Sequence, residues 1–264
     1  MNIVKNLAYK LLPAVFINWI KVHRYSKQFK SFTAQDVAEA QVFRTLIPPN
    51  STVLDLGANI GLYAKLFSDI VGKKGKVYAI EPIPFTFSIL TRNVRLSHEQ
   101  NIFPFQFAVS DTNGRAEMVI PTYKDQHGMS SNGDEYTGEG LNYYTATLEF
   151  DETLKENSIS VPLLTIDEFV DKNMIENISF IKCDVEGHEL AAMIGARNII
   201  ERFKPSLYIE VSSDPRVQGT NGYELFSFLK DREYIPYIFS EGNNDLTPWI
   251  FDSSPEINYF FIIK

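Results

Sequence analysis

Residues 52–61 read TVLDLGANIG. A short apolar run carries Asp55 near its end, and glycines at 57 and 61 bracket a polar turn. Residues 60–70 follow, with Leu62, Leu66 and Ile70 on one side of a helix. A strand, a glycine turn and a helix make the opening of a parallel α/β unit, in which ligands gather at the carboxyl ends of strands. Glycine at such a turn lets backbone approach a ligand and adopt conformations closed to other residues.

The same alternation continues outward. Strands are expected at 76–80, 103–109, 178–183, 206–211, 234–239 and 258–263. Helices are expected at 85–96, 189–202 and 222–230. Such an order predicts a mostly parallel sheet joined by right-handed crossovers, buried on both faces and therefore apolar throughout its strands. The rhythm breaks between 114 and 165. Residues 121–144 are rich in Gly, Ser, Asn and Tyr, and a connection this long in a compact domain is either functional or partly disordered. The expected organisation is a basic helical segment at 1–45 and an α/β domain at 46–264, with a long insert at about 121–158.

Composition narrows the function. The net charge of −8 argues against nucleic-acid binding, which needs a basic surface to displace counterions. A single cysteine excludes an internal disulfide and fits a reducing, cytoplasmic compartment. The first 35 residues hold Lys5, Lys10, Lys21, Arg24, Lys27 and Lys30 and no acid. The uncharged stretch between Lys10 and Lys21 is about half a bilayer span. Residues 1–30 then read either as a basic, Trp19-bearing helix resting on the inner face of an anionic membrane, or as a helix packed on the domain or a second subunit.

The turn also selects a cofactor. Glu81 lies 20 residues after Gly61, at the end of the second strand, and is followed by Pro82. An acid there suits the two hydroxyls of a ribose. A dinucleotide fingerprint counted from Gly57 requires glycine at 59 and 62, but the chain has Asn59 and Leu62, so a nicotinamide oxidoreductase fits poorly. S-adenosylmethionine has no phosphates. Asp55 suits its ammonium group, the loop Gly57-Ala58-Asn59 with Gly61 and the helix start suits its carboxylate, and Glu81 its ribose.

Five stretches carry a resemblance: 52–94, 107–114 (FAVSDTNG), 163–170 (LLTIDEFV), 178–200 (ISFIKCDVEGHELAAMIGARNII) and 204–211 (KPSLYIEV). Together they make the chain similar to the FkbM family of S-adenosylmethionine-dependent methyltransferases. The resemblance implies the class I methyltransferase fold, a Rossmann-like sandwich. Its sheet has seven strands in the order 3-2-1-4-5-7-6, mostly parallel with the last antiparallel, and helices on both faces. It also implies O-methylation of hydroxyls on sugars, glycolipids or macrolide-type products, a small-molecule or glycan acceptor, and a place for Ala108 beside the cofactor. A copy of the fold that binds a ligand or partner without catalysis is the alternative, and the acids at 184, 186 and 210 argue against it.

The densest chemistry is in IKCDVEGHEL, residues 181–190. Asp184, Glu186 and His188 alternate, so an extended strand would point all three into the cleft. These groups suit a Mg²⁺ ion less well than proton transfer, because Gly187 interrupts the run. An alcohol is a weak nucleophile, and the protein must align it and accept its proton. His188 has the appropriate pKa range. Asp184, Glu186, Glu189 and Glu210 are equally able to receive or relay the proton, and Asp184 also stands beside the cofactor. The bland alternative is a strand–helix turn with acids placed by the helix dipole. Cys183 alternates away into the core. In the insert, His127, Ser130, Ser131, Tyr136, Tyr143 and Tyr144 suit stacking and hydrogen bonding to a sugar.

Overall fold

The computed structural model describes residues 14–120, 158–242, 244–251 and 253–263. Two helices, α1 (Ala14–Ser31) and α2 (Ala40–Leu46), precede the first strand. Then come β1 (Thr52–Leu56), α3 (Leu62–Val71), β2 (Lys76–Ile80), α4 (Pro84–Val94), β3 (Ile102–Phe105), β4 (Ala108–Val109) and β5 (Gly114–Val119). After the insert follow β6 (Ser158–Leu164), α5 (Ile166–Lys172), β7 (Phe180–Cys183), α6 (Glu189–Ile194), α7 (Arg197–Phe203) and β8 (Ser206–Glu210). The chain closes with α8 (Asn221–Lys230), β9 (Tyr234–Ser240), β10 (Asp245–Pro248) and β11 (Asn258–Ile263).

The main sheet runs β10-β9-β11-β8-β7-β1-β2-β3. Strands β3, β2, β1, β7 and β8 are mutually parallel, while β11 runs antiparallel to both neighbours, β8 and β9. This is the 3-2-1-4-5-7-6 order with β10 added at the edge. All five residues of β1 and all four of β7 are buried. Their side chains alternate between two apolar layers: Leu54, Leu56, Ile181 and Cys183 on one face, Val53 and Phe180 on the other.

Three local expectations need correction. The apolar run at 103–109 is not one strand. It leaves the main sheet after Phe105, and Ala108–Val109 pairs with β6 in a second sheet of order β4-β6-β5. The helix expected at 189–202 breaks at Gly195. A Cβ there would lie 2.0 Å from the Ser110 carbonyl oxygen, so the glycine lets helix and β4 backbone touch. Strands β5 and β6 were not anticipated; they pair antiparallel with Val119 opposite Ser158, one at each end of the insert.

The segment ahead of β1 shares the domain's core. Phe29 and Phe43 are fully buried, and Phe43 packs edge-on against Phe67, Phe180 and Tyr208. Ser26 Oγ donates to Asn93 Oδ1 at 3.0 Å, and Lys65 Nζ to the Phe32 carbonyl at 2.6 Å. The inner face of α1 is thus used against α4, and Trp19, His23, Arg24, Lys27 and Lys30 remain exposed on its outer face. Among the described residues, no helix is long and apolar enough to cross a membrane.

Candidate functional site

A cleft opens where β1, β2 and β7 end. Gly57 and Asn59 form its floor, Glu81-Pro82-Ile83 one wall, and Asp184-Val185-Glu186 the opposite wall. Phe107, Ala108, Val109 and Met118 add an apolar side. It is open to solvent and mixes polar and apolar lining.

The floor is shaped by one close approach. Gly57 has φ +75°, and a Cβ on it would lie 1.7 Å from the Asp184 carbonyl oxygen. The loop amides are already engaged: Gly57 and Ala58 donate to the Ile80 carbonyl at 3.0 and 2.9 Å, and Asn59 donates to Glu81 Oε2 at 2.9 Å. These three N–H groups therefore hold the loop and are not directed at a ligand carboxylate. Ala58 is buried behind the loop, and Gly61 faces Leu90 and Phe29, so neither lines the cleft. The Asn59 Oδ1 atom is buried without a hydrogen-bond partner. A donor from a bound ligand would satisfy it.

Glu81 has two jobs. Its Oε1 accepts from the Ile83 amide at 3.0 Å and the Thr86 hydroxyl at 2.6 Å, while Oε2 holds Asn59. Burial raises its carboxyl to about 7, against those three hydrogen bonds. Oε1 has both lone pairs engaged, and Oε2, with one donor, keeps a lone pair for a ligand.

Asp55 does not reach the cleft. It is fully buried and neither oxygen has a hydrogen-bond partner. Its contact is Lys182, which the sequence reading missed: Nζ lies 3.7 Å from Asp55 Oδ1 and 3.0 Å from Asp184 Oδ2. Strand register places Asp55, Lys182 and Tyr208 side by side across β1, β7 and β8. The Tyr63 ring covers the ammonium at 5.1 Å, and Tyr208 donates to Glu39 Oε1 at 3.2 Å. Burial raises Asp55 to about 6, with Lys182 opposing. Burial alone would lower the Lys182 ammonium, but Asp184 and Asp55 more than reverse this and hold it above its usual range.

The run 184–189 is not extended. The strand ends at Cys183, Asp184 N makes a last bond to the Leu56 carbonyl at 3.1 Å, and Glu186 and Gly187 take φ values of +53° and +94°. Asp184, Glu186 and His188 therefore do not share one side. Asp184 and Glu186 line the cleft; His188 turns away, its Nε2 3.1 Å from Ser110 Oγ. Glu189 Oε1 accepts the Gly187 and Val185 amides at 2.9 and 3.2 Å, which makes it the staple of the turn. Cys183 is buried in the core, and burial pushes its thiol well up. Glu210, at the end of β8, stands one register step past the Cys183–Ile209 pair, as Asp184 does on the neighbouring strand. Burial, then the Asp184 charge, raises its carboxyl above the usual range. Glu186 is also raised by desolvation and then by Asp184, Glu210 and Glu189, although its side chain is open to solvent. Among the described residues, no group of three or more His, Cys, Asp or Glu side chains is placed to hold a metal ion. His127, Ser130, Ser131, Tyr136, Tyr143 and Tyr144 lie outside the described residues.

The chain is similar to several known proteins. Hexuronic acid methyltransferase AglP of Haloferax volcanii is 25% identical over 166 residues, which cover 62% of this chain and 58% of that protein. Methyltransferase sdnD of Sordaria araneosa is 26% identical over 219 residues, covering 74% and 81%. The 2-O-methyltransferase NoeI of Sinorhizobium fredii is 22% identical over 203 residues, covering 75% and 79%. A solved structure, methyltransferase FkbM from Methylobacillus flagellatus KT, superposes with a TM-score of 0.46 at 17% identity, covering 84% of this chain and 50% of that one. The methyltransferase FkbM domain itself matches residues 55–236, from Asp55 in β1 into β9, and so takes in the whole cleft: the chain belongs to the FkbM methyltransferase family.

Proposed function

We propose that the chain is an S-adenosylmethionine-dependent O-methyltransferase whose acceptor is a hydroxyl of a sugar or sugar acid, free or within a glycan or glycolipid. The observation that carries this is one cleft with a partly apolar half at Glu81, Ala108 and Met118 and an acidic end at Asp184 and Glu186, with Glu210 next to Asp184 on the neighbouring strand. The name of AglP, a hexuronic acid methyltransferase, supports a sugar-acid acceptor, and that of NoeI, a 2-O-methyltransferase, supports transfer to oxygen.

The residues present fit the cofactor. Glu81 and the unpartnered Asn59 Oδ1 would hold polar groups of its ribose end, Pro82, Ile83, Phe107 and Met118 would pack on the adenine, and Asp184 would face its ammonium group. When bound, S-adenosylmethionine supplies an activated methyl group on a sulfonium. The chain's own task is alignment and proton acceptance, the second worth roughly 10²–10⁴-fold. Glu186 and Glu210, with carboxyls raised toward neutrality, are suited to accept the hydroxyl proton. His188 is bonded to Ser110 and serves the turn.

Residues of the insert, including His127, Ser130, Ser131, Tyr143 and Tyr144, are proposed to contact the acceptor. Met118 lines the cleft only three residues before the insert begins, which supports this. The outer face of α1, with Trp19, Arg24, Lys27 and Lys30, is proposed to rest on the anionic inner surface of a cytoplasmic membrane. Flotation with phosphatidylglycerol vesicles should then weaken as salt rises; no flotation at low salt removes this element.

Calorimetry and a transfer assay test the main reading. S-adenosylhomocysteine should bind and NADH should not, and label from methyl-tritiated S-adenosylmethionine should pass to uronic acids or hexosides in an acceptor panel. NADH binding without S-adenosylhomocysteine binding overturns it.

A further inference from the structure

Lys182 is a cation buried in the middle of the central strand, with 4% of its side chain exposed. The groups around it come from several elements: Asp55 on β1, Asp184 just past the end of β7, Tyr63 on α3, Tyr208 (bonded to Glu39) and Glu210 on β8, and Glu186 on the turn. The distances are unequal in a telling way. The ammonium sits closer to Asp184, at the cleft, than to Asp55, in the core. Asp55 has no hydrogen-bond partner of its own, so the buried carboxylate tethers the cation from behind while Asp184 takes its direct hydrogen bond. A charged group this deep is rarely kept for stability, because desolvation offsets most of the attraction.

Building on the methyl-transfer reading, we propose that Lys182 is a positioning residue: anchored on Asp55, it fixes the Asp184 carboxylate as the standing anion beside the reacting atoms and leaves Glu210 to receive the acceptor's proton. In that step the hydroxyl oxygen forms a bond to the methyl carbon, and the sulfur–carbon electron pair returns to sulfur, which leaves as a neutral thioether. The hydroxyl proton passes to a Glu210 carboxylate oxygen and from there to solvent. Two carboxylates so close would otherwise compete for one proton. The lysine breaks the symmetry, since only Asp184 holds its hydrogen bond. The raised carboxyl of Glu210 agrees with this division, and Lys182 is the group that opposes the rise.

The test reads charge directly. Carboxyl-¹³C-glutamate protein is titrated by NMR without cofactor, with Glu210 assigned from Glu210→Gln. In Lys182→Met the Glu210 midpoint should move up by about one pH unit or more, because an opposing positive charge is gone. Should Lys182→Met fail to fold, the double variant Asp55→Asn/Lys182→Met removes the buried partner as well and should show the same upward shift. An unmoved Glu210 midpoint in either folded variant overturns the proposal, as does a wild-type Glu210 that titrates in the ordinary carboxylate range. Calorimetry with S-adenosylhomocysteine on the wild type is the separate arm. A Glu210 shift without binding there discards the methyl-transfer reading and leaves the charge arrangement standing.

Discussion

Gly57→Ala puts the shape of the cleft floor to a quantitative test. The substitution adds one methyl group at φ +75°, 1.7 Å from the Asp184 carbonyl oxygen, where real contacts stay above 3.0 Å. The carbonyl must retreat by more than an ångström, yet its own residue is tied into the sheet through the hydrogen bond its N–H donates to the Leu56 carbonyl. A left-handed conformation costs a non-glycine residue about 1–2 kcal/mol, and forcing an extra methyl into packed structure about 1–3 kcal/mol more. A total of about 2–5 kcal/mol should lower the melting temperature by about 5–15 °C in a domain of this size. Because the displaced residue lines the cleft, S-adenosylhomocysteine affinity should fall roughly tenfold or more, an energy of about 1.4 kcal/mol. Gly219→Ala is the control: φ is +86° with nothing within 4 Å of the new Cβ, so it carries strain without a clash. Differential scanning fluorimetry and calorimetry on both variants decide the matter. Equal melting losses in the two, or wild-type affinity in Gly57→Ala, would refute the argument.

Glu81→Gln keeps shape but cannot accept from both Ile83–Thr86 and Asn59, because one end of the amide is a donor; leaving the Asn59 amide unpaired should cost about 1–3 kcal/mol and weaken S-adenosylhomocysteine binding in calorimetry. Glu81 and Asp55 are raised to about 7 and about 6 in the fold, from 4.5 and 3.8. The native chain thus keeps protons that the unfolded chain has lost, so apo-protein stability should fall as pH rises from about 4 to about 7, read by urea unfolding across that window. A flat or rising profile would contradict the burial of these acids. Phe29→Ala empties a fully buried site against Gly61 and should destabilise by about 3–5 kcal/mol in urea unfolding, whereas a chain beginning at residue 14 should bind S-adenosylhomocysteine like the full chain.

Much of the sheet was legible because its strands are buried on both faces: 52–56, 76–80 and 258–263 are bounded in the structure as read from the apolar runs. The errors lie where one pattern serves two partners. Phe103, Phe105, Phe107 and Val109 alternate without interruption, and nothing local marks the point at which the chain changes sheets. Gly195 looked like a tolerated helical glycine until β4 supplied the backbone that touches it. At the site, Glu81, Pro82, Asp184 and Glu186 could be placed by their distance from strand ends and Ala108 by the family resemblance, and all line the cleft. Lys182 could not, since a lysine in a strand reads as a solvent-facing residue. Only the register that sets it beside Asp55 reveals its surroundings. His188 was misplaced because alternation was carried through Glu186, whose left-handed φ reverses the chain.

The pairing of Val119 with Ser158 has an evolutionary consequence. Residues 121–157 leave and re-enter the domain at one rung of a ladder, so their two ends are held together whatever lies between them. Lengthening such an excursion twofold adds only about 0.6 kcal/mol of closure entropy. On the proposal that this excursion contacts the acceptor, acceptor preference can drift by its insertion, deletion or wholesale exchange while the cofactor half is inherited unchanged. A chimera that receives the corresponding excursion of a relative at this rung should keep the parent's cofactor affinity and take on the donor's acceptor.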